Sequence, residues 1–176
     1  MKKTLAMAAM AAPAALAASE ETPFEAAHIA HSGGFHVEAT PEHAFQLFTA
    51  PGERLWAPGW DPVILSGGDG RPEGSVWITS HGEERTVWVV VDYDTDTLHA
   101  RYVRVTPASR AGTVEVFVRP DGSAASTVEV RYVLTALNET GNEDLAEFDA
   151  DYFAHMMEEW ERLIREADIE YPIRFD

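Results

Sequence analysis

The spacing of hydrophobic residues along this chain shifts from a period of two to a period between three and four. Six runs between positions 63 and 137 are rich in Val, Ile, Thr, Tyr, Phe and Trp, and turn residues close each one. That pattern predicts strands. Val63–Ser66 ends at Gly67-Gly68-Asp69-Gly70, Ser75–Ser80 at His81-Gly82, and Arg85–Tyr93 at Asp94-Thr95-Asp96. Leu98–Val105 ends at Pro107-Ala108-Ser109, Thr113–Arg119 at Pro120-Asp121-Gly122, and Thr127–Leu137 at Asn138-Glu139. Connections this short predict antiparallel pairing, because parallel neighbours need long crossovers.

From Asn142 to about Asp168 the pattern becomes helical. Leu145, Phe148, Tyr152, Met156, Trp160, Leu163 and Ala167 are separated by 3, 4, 4, 4, 3 and 4 residues. Those intervals lay one apolar stripe on an α-helix, which Phe153 and Ile164 widen. Roughly 26 residues at about 1.5 Å each predict a single rod near 40 Å long. Thr140 or Asn142 can cap its start, and the acidic residues of 143–151 favour the positive helix end.

Upstream, Ile29–Thr40 alternates loosely and predicts a first strand, with Gly33-Gly34 read as a bulge or bend. Thr40-Pro41-Glu42-His43 starts a short helix ending near Thr49, with Thr40 as N-cap and Pro41 at its first position. Phe45, Leu47 and Phe48 supply its apolar face. A helical turn at Glu53–Trp56 leads into the turn dipeptide Pro58-Gly59.

Residues 1–17 read as a secretory signal: Lys2 and Lys3, an apolar Leu5–Leu16, and Ala15-Leu16-Ala17 before the cut. Export to the periplasm is the expected destination; a cytoplasmic protein with an Ala-rich tail is the alternative. The segment is too short and alanine-rich for stable membrane insertion. The expected organisation is this signal, a polar leader and strand start over 18–33, one domain over 34–168, and a tail over 169–176.

A helix with an aromatic stripe must bury it, and the sheet is the only large partner. Seven twisted antiparallel strands can curl around such a rod. The expected fold is therefore α+β, with two short helices between the first two strands. Several stretches carry a resemblance: Gly52-Glu53-Arg54-Leu55-Trp56-Ala57-Pro58-Gly59-Trp60-Asp61-Pro62, Arg104-Val105-Thr106-Pro107, Tyr132-Val133-Leu134-Thr135-Ala136-Leu137, and Glu159-Trp160. With the element order, they resemble the helix-grip fold of the START / polyketide-cyclase-like superfamily (SRPBCC), in a bacterial branch described simply as SRPBCC family proteins. The likeness runs from Gly34 to Asp168. It implies a cavity between sheet and long helix that accepts a small hydrophobic or amphipathic ligand, lipid-like or aromatic. It implies no reaction, since the superfamily includes carriers and cyclases alike.

Charge narrows the partners. Asp and Glu number 30 against 13 Lys and Arg, a net charge of -17. Such a surface repels nucleic-acid backbones and anionic headgroups. The absence of cysteine excludes disulfides, thiol catalysis and Cys-ligated metals.

The candidate ligand-binding residues are Trp56, Trp60, Trp77, Trp88, Tyr102, Tyr152, Met156 and Trp160, with Arg104 and Glu115 as polar anchors. Five tryptophans offer large apolar faces, each with one N–H seeking a partner. Ordinary core packing is the simpler account of any one of them, whereas of the group at least two are expected to touch the cavity. Arg104 shares a strand face with Tyr102, and with an acid such as Glu115 it could orient a carboxylate or polar head. Surface cross-strand ion pairs are the simpler account of Arg101, Arg104, Arg131, Glu115 and Glu129. His81 and His99 could serve as acid or base, but no nucleophile stands beside them in the sequence. Asp92-Tyr93-Asp94-Thr95-Asp96 lacks the glycine and terminal glutamate of a calcium loop. Asp151, His155 and Glu159 share a helix face that reads as solvated, and His28-x-x-His31 is no stronger as a metal site. No cofactor or metal is expected. Three functions fit: a ligand carrier, a cyclase- or hydratase-type enzyme using the same cavity, and an interaction module with the cavity collapsed.

Overall fold

The computed structural model describes residues 24–175, so the signal expected over 1–17 lies outside the described residues. The chain runs β1 (His28–Val37), α1 (Pro41–Gln46), α2 (Ala50–Glu53), β2 (Val63–Ser66), β3 (Val76–His81) and β4 (Glu84–Asp94). It continues through β5 (His99–Thr106), β6 (Arg110–Pro120), β7 (Ser126–Ala136), α3 (Glu139–Glu147) and α4 (Ala150–Glu166). The strands form one antiparallel sheet in the order β1-β7-β6-β5-β4-β3-β2. β2 to β7 are a meander, because each turn is short. β1 then adds beside β7, so the two strands flanking α1 and α2 in sequence become opposite edges of the sheet. This is the α+β helix-grip arrangement.

Alternation decides which face is core. Val114, Val116 and Val118 of β6 and Val128, Val130, Tyr132 and Leu134 of β7 are buried on the concave face. On β4, Thr86, Trp88 and Val90 point the same way, and then the register slips between Val90 and Asp92. That bulge reverses the alternation and turns Tyr93 inward, where it stacks on Phe45 with centroids 4.9 Å apart.

The expected single C-terminal rod is two helices. Phe148 leaves helical geometry, at φ -86° and ψ 58°, and Asp149 then caps α4 by accepting a hydrogen bond from Tyr152 N. An N-cap carboxylate offers the backbone an alternative to continuing the helix. α3, capped by Asn138 through Gly141 N, packs on β7, while α4 packs on β1. The buried anchors of α4 are Phe153, Met157 and Ile164, one position round from the expected stripe. Gly33 explains this docking. A Cβ there would stand 3.0 Å from Met157 Cγ and 3.1 Å from Phe153 Cε1. The expected bulge at Gly33-Gly34 is absent: β1 pairs with β7 without a register break, and the glycine serves helix approach.

The C-terminal residues fold back, with Tyr171 stacked on His43 at 5.0 Å and Arg71 over the Phe175 ring at 4.8 Å. No helix among the described residues is long and apolar enough to cross a membrane.

Candidate functional site: an aromatic cavity between sheet and helix

Because α4 rests on the β1 edge, its other flank stands away from β3 to β6. The gap is a cavity of about 390 Å³. At about 30 Å³ per water molecule, that is room for roughly a dozen waters. It lies at the lower end of volumes used for small ligands.

The tryptophan positions follow from backbone carbonyls that need donors. Thr49 accepts from Gly52 N and starts α2 just after α1 ends. The carbonyls freed between these short helices are then satisfied by aromatic side chains. Trp56 Nε1 donates to Leu47 O at 2.8 Å, Trp60 Nε1 to Ala50 O at 2.9 Å, and Tyr102 Oη to Phe48 O at 2.8 Å. Trp88 Nε1 donates to Thr79 Oγ1 at 2.9 Å, whereas the buried Trp77 Nε1 has no acceptor among the described residues. The rings form two clusters. Trp77 stacks on Trp88 at 6.2 Å, Trp60 meets Trp88 edge-on at 5.6 Å, and Trp56 meets Trp160 at 5.3 Å.

All five tryptophans border the cavity, together with Tyr102, Arg104, Tyr152 and Met156. Trp56, Trp77, Trp88 and Tyr102 are buried; Trp60, Met156 and Trp160 are half-buried; Tyr152 is exposed at the mouth. Glu115 does not join them, which corrects its pairing with Arg104. The register sets Tyr102 opposite Val114, so Glu115 falls opposite Arg101 on the convex face. There it lies 3.4 Å from His99 Nε2, while Asp92 Oδ2 stands 2.8 Å from His99 Nδ1. Cross-strand register is a tertiary property, and alternation along one strand does not supply it. His99 is likewise remote from the cavity, stacked on Phe117 at 4.4 Å, whereas His81 stands at the rim.

The polar lining is sparse and unevenly neutralised. Arg110 Nη1 lies 2.6 Å from Asp144 Oδ2 and 3.6 Å from Glu84 Oε1, so two carboxylates flank it. Arg104 has none. Its Nε is buried without an acceptor among the described residues, and its guanidinium carbon lies 5.5 Å from the Trp88 ring centroid. Burial lowers its pKa, while the guanidinium remains the charged form.

Sequence reasoning missed Glu53. Its α2 backbone is fixed by the close pass at Gly52, where a Cβ would come within 1.9 Å of Gln46 O. The Glu53 side chain turns into the cavity, where desolvation pushes its carboxyl up to about 8. Burial also raises Tyr102 well above its ordinary value and pushes the Tyr132 phenol up to about 12. The available signal was an acid three residues before Trp56, on the same helical turn as that buried ring. Among the described residues, no group of three or more His, Asp or Glu side chains converges as a metal site.

Known proteins support the same architecture. Three solved structures share the fold at low identity. Norcoclaurine synthase from Thalictrum flavum, in complex with dopamine and hydroxybenzaldehyde, matches with a TM-score of 0.58 and 14% identity, over 82% of this chain and 91% of that one. A protein from Nitrosospira multiformis gives 0.60 and 10%, over 81% and 97% of the two chains. The Mll3558 protein of Rhizobium loti gives 0.56 and 16%, over 81% and 99%. No curated protein matches. A family model described as polyketide cyclase / dehydrase and lipid transport matches residues 28–166, spanning every strand and both C-terminal helices. This chain belongs to that family.

Proposed function

We propose that this protein binds or carries a small hydrophobic or amphipathic molecule, lipid-like or aromatic, in the cavity between its sheet and α4. One observation carries the reading: an aromatic-walled space of about 390 Å³ stays open because α4 is seated on the sheet edge. Apolar pockets with a few fixed polar groups are the usual form of small-molecule sites. The family description, which includes lipid transport, supports the same class of ligand. Export belongs to the proposal on the N-terminal sequence pattern, and the mass of natively produced protein tests it by showing whether residues 1–17 are removed.

Native mass spectrometry of gently purified protein tests binding, followed by melting curves against lipid and aromatic libraries. A ligand at a hundred times its Kd adds about 2.7 kcal/mol of stability, which is several degrees in Tm. No co-purifying compound and unchanged melting across both libraries would refute the carrier.

A second reading rests on Glu53. A carboxyl held protonated near neutral pH is a competent general acid, and here it shares the cavity with the Tyr102 and Tyr132 phenols. A cyclase- or hydratase-type enzyme would use it to donate that proton to a substrate carbonyl oxygen. A co-purified compound returned chemically changed by wild type and unchanged by Glu53→Gln supports the enzyme. Return unchanged by both supports the carrier.

A further inference from the structure

Charges around the cavity leave one remainder. Arg110 is flanked by Asp144 and Glu84. Glu53 enters an apolar setting where its neutral form is favoured. Arg104 alone is a fixed cation with no carboxylate partner among the described residues, and its Nε donates to nothing there. Arg104 is half-buried with its Nε enclosed, and a partly desolvated charge without a partner is costly, so an acceptor from elsewhere would stabilise it. Trp88 lies against the guanidinium and favours an acceptor arriving in its plane rather than on its face.

Resting on the ligand-binding reading above, we propose that the occupant carries a single carboxylate, clamped by Arg104, with its apolar body among Trp56, Trp60 and Trp160. The charge count selects a monoanion. A phosphomonoester would bring a second negative charge with no second free cation, into a chain of net charge -17. Planar guanidinium and planar carboxylate match in geometry and make strong, charge-assisted hydrogen bonds. Neutral molecules of the same shape would leave Arg104 desolvated and unpaired, so the site discriminates by head group as well as by apolar bulk.

Calorimetric titration of the full chain with two matched pairs tests this: 2-naphthoate against 2-naphthalenemethanol, and dodecanoate against 1-dodecanol. In at least one pair the acid is expected to bind about tenfold tighter, one charge-assisted contact's worth. Arg104→Met is expected to bring acid and alcohol within about twofold, by weakening the acid and relieving the penalty on the alcohol, and Arg104→Lys to keep part of the preference. Equal or tighter binding of the alcohols by wild type overturns the clamp and leaves the broader ligand-binding reading standing. An undiminished acid preference in a folded Arg104→Met protein also overturns it. Should Arg104→Met fail to fold, the wild-type ratios and Arg104→Lys decide. Silence from all four compounds overturns the clamp, and the co-purification experiment then judges the broader reading separately.

Discussion

Glu53→Gln makes the cavity's electrostatics measurable without knowing the ligand. In the folded chain burial holds the Glu53 carboxyl near 8, against 4.5 for an unhindered glutamate. The folded state therefore keeps a proton that the unfolded state releases. Stability is unaffected by this group below about pH 4.5 and declines as pH rises towards 8, because the unfolded chain binds fewer protons there. Each pKa unit corresponds to about 1.4 kcal/mol. Integrated from pH 5.5 to 7.5, a shift from 4.5 to about 8 amounts to about 2.5 kcal/mol at most. Water in the open cavity screens the carboxylate, which leaves about 1–2 kcal/mol. Gln cannot ionise, so the stability of the variant relative to wild type is expected to improve by that amount over the interval. Any constant offset from the amide itself drops out of the slope. Urea unfolding followed by tryptophan fluorescence at pH 5.5, 6.5 and 7.5, fitted with a common denaturant slope, gives the measurement. A difference between the two proteins that stays level within about 0.5 kcal/mol would refute a desolvated Glu53.

Other perturbations separate docking from lining. Gly33→Val places branched carbons where Met157 and Phe153 already approach to 3.0 and 3.1 Å, so α4 must lift from β1. A loss of about 1–3 kcal/mol is expected from such overpacking, and an unchanged urea midpoint would show that the contact yields freely. Asp149→Ala removes the cap on Tyr152 N and is expected to cost about 0.5–2 kcal/mol, checked by the same unfolding curves. Trp160→Ala is expected to cost less than the 3–5 kcal/mol of a fully buried tryptophan, because one side of the ring already faces the cavity. It is expected to weaken ligand binding at least as clearly, and a full core-sized loss of stability with binding intact would reverse that assignment. With carboxylate probes, affinity is expected to fall above about pH 8 as Glu53 ionises in the cavity it shares with His81, Glu84, Tyr102, Arg104, Arg110, Tyr132 and Tyr152, and Glu53→Gln is expected to flatten that fall.

Sequence periodicity determined the strands, the antiparallel meander and a helical C-terminus, because each follows from which side chains must leave water along one local stretch. Composition determined the wealth of tryptophan, and all five border the cavity. Three things were decided only by tertiary structure. Helix rotation was one: the sequence reads Tyr152, Met156 and Trp160 as the middle of one stripe and as ligand residues, with Phe153 widening it, and Gly33 is what seats Phe153 and Met157 deepest while those three border the cavity. Sheet register was another, placing Glu115 on the outer face with His99 while Arg104 stays inside unpartnered. The third was the carboxyl of Glu53, whose chemistry comes from being surrounded. Local sequence encodes the preference of each residue for water or its absence; only packing fixes which groups share an enclosure, and that sets the charge a ligand meets there.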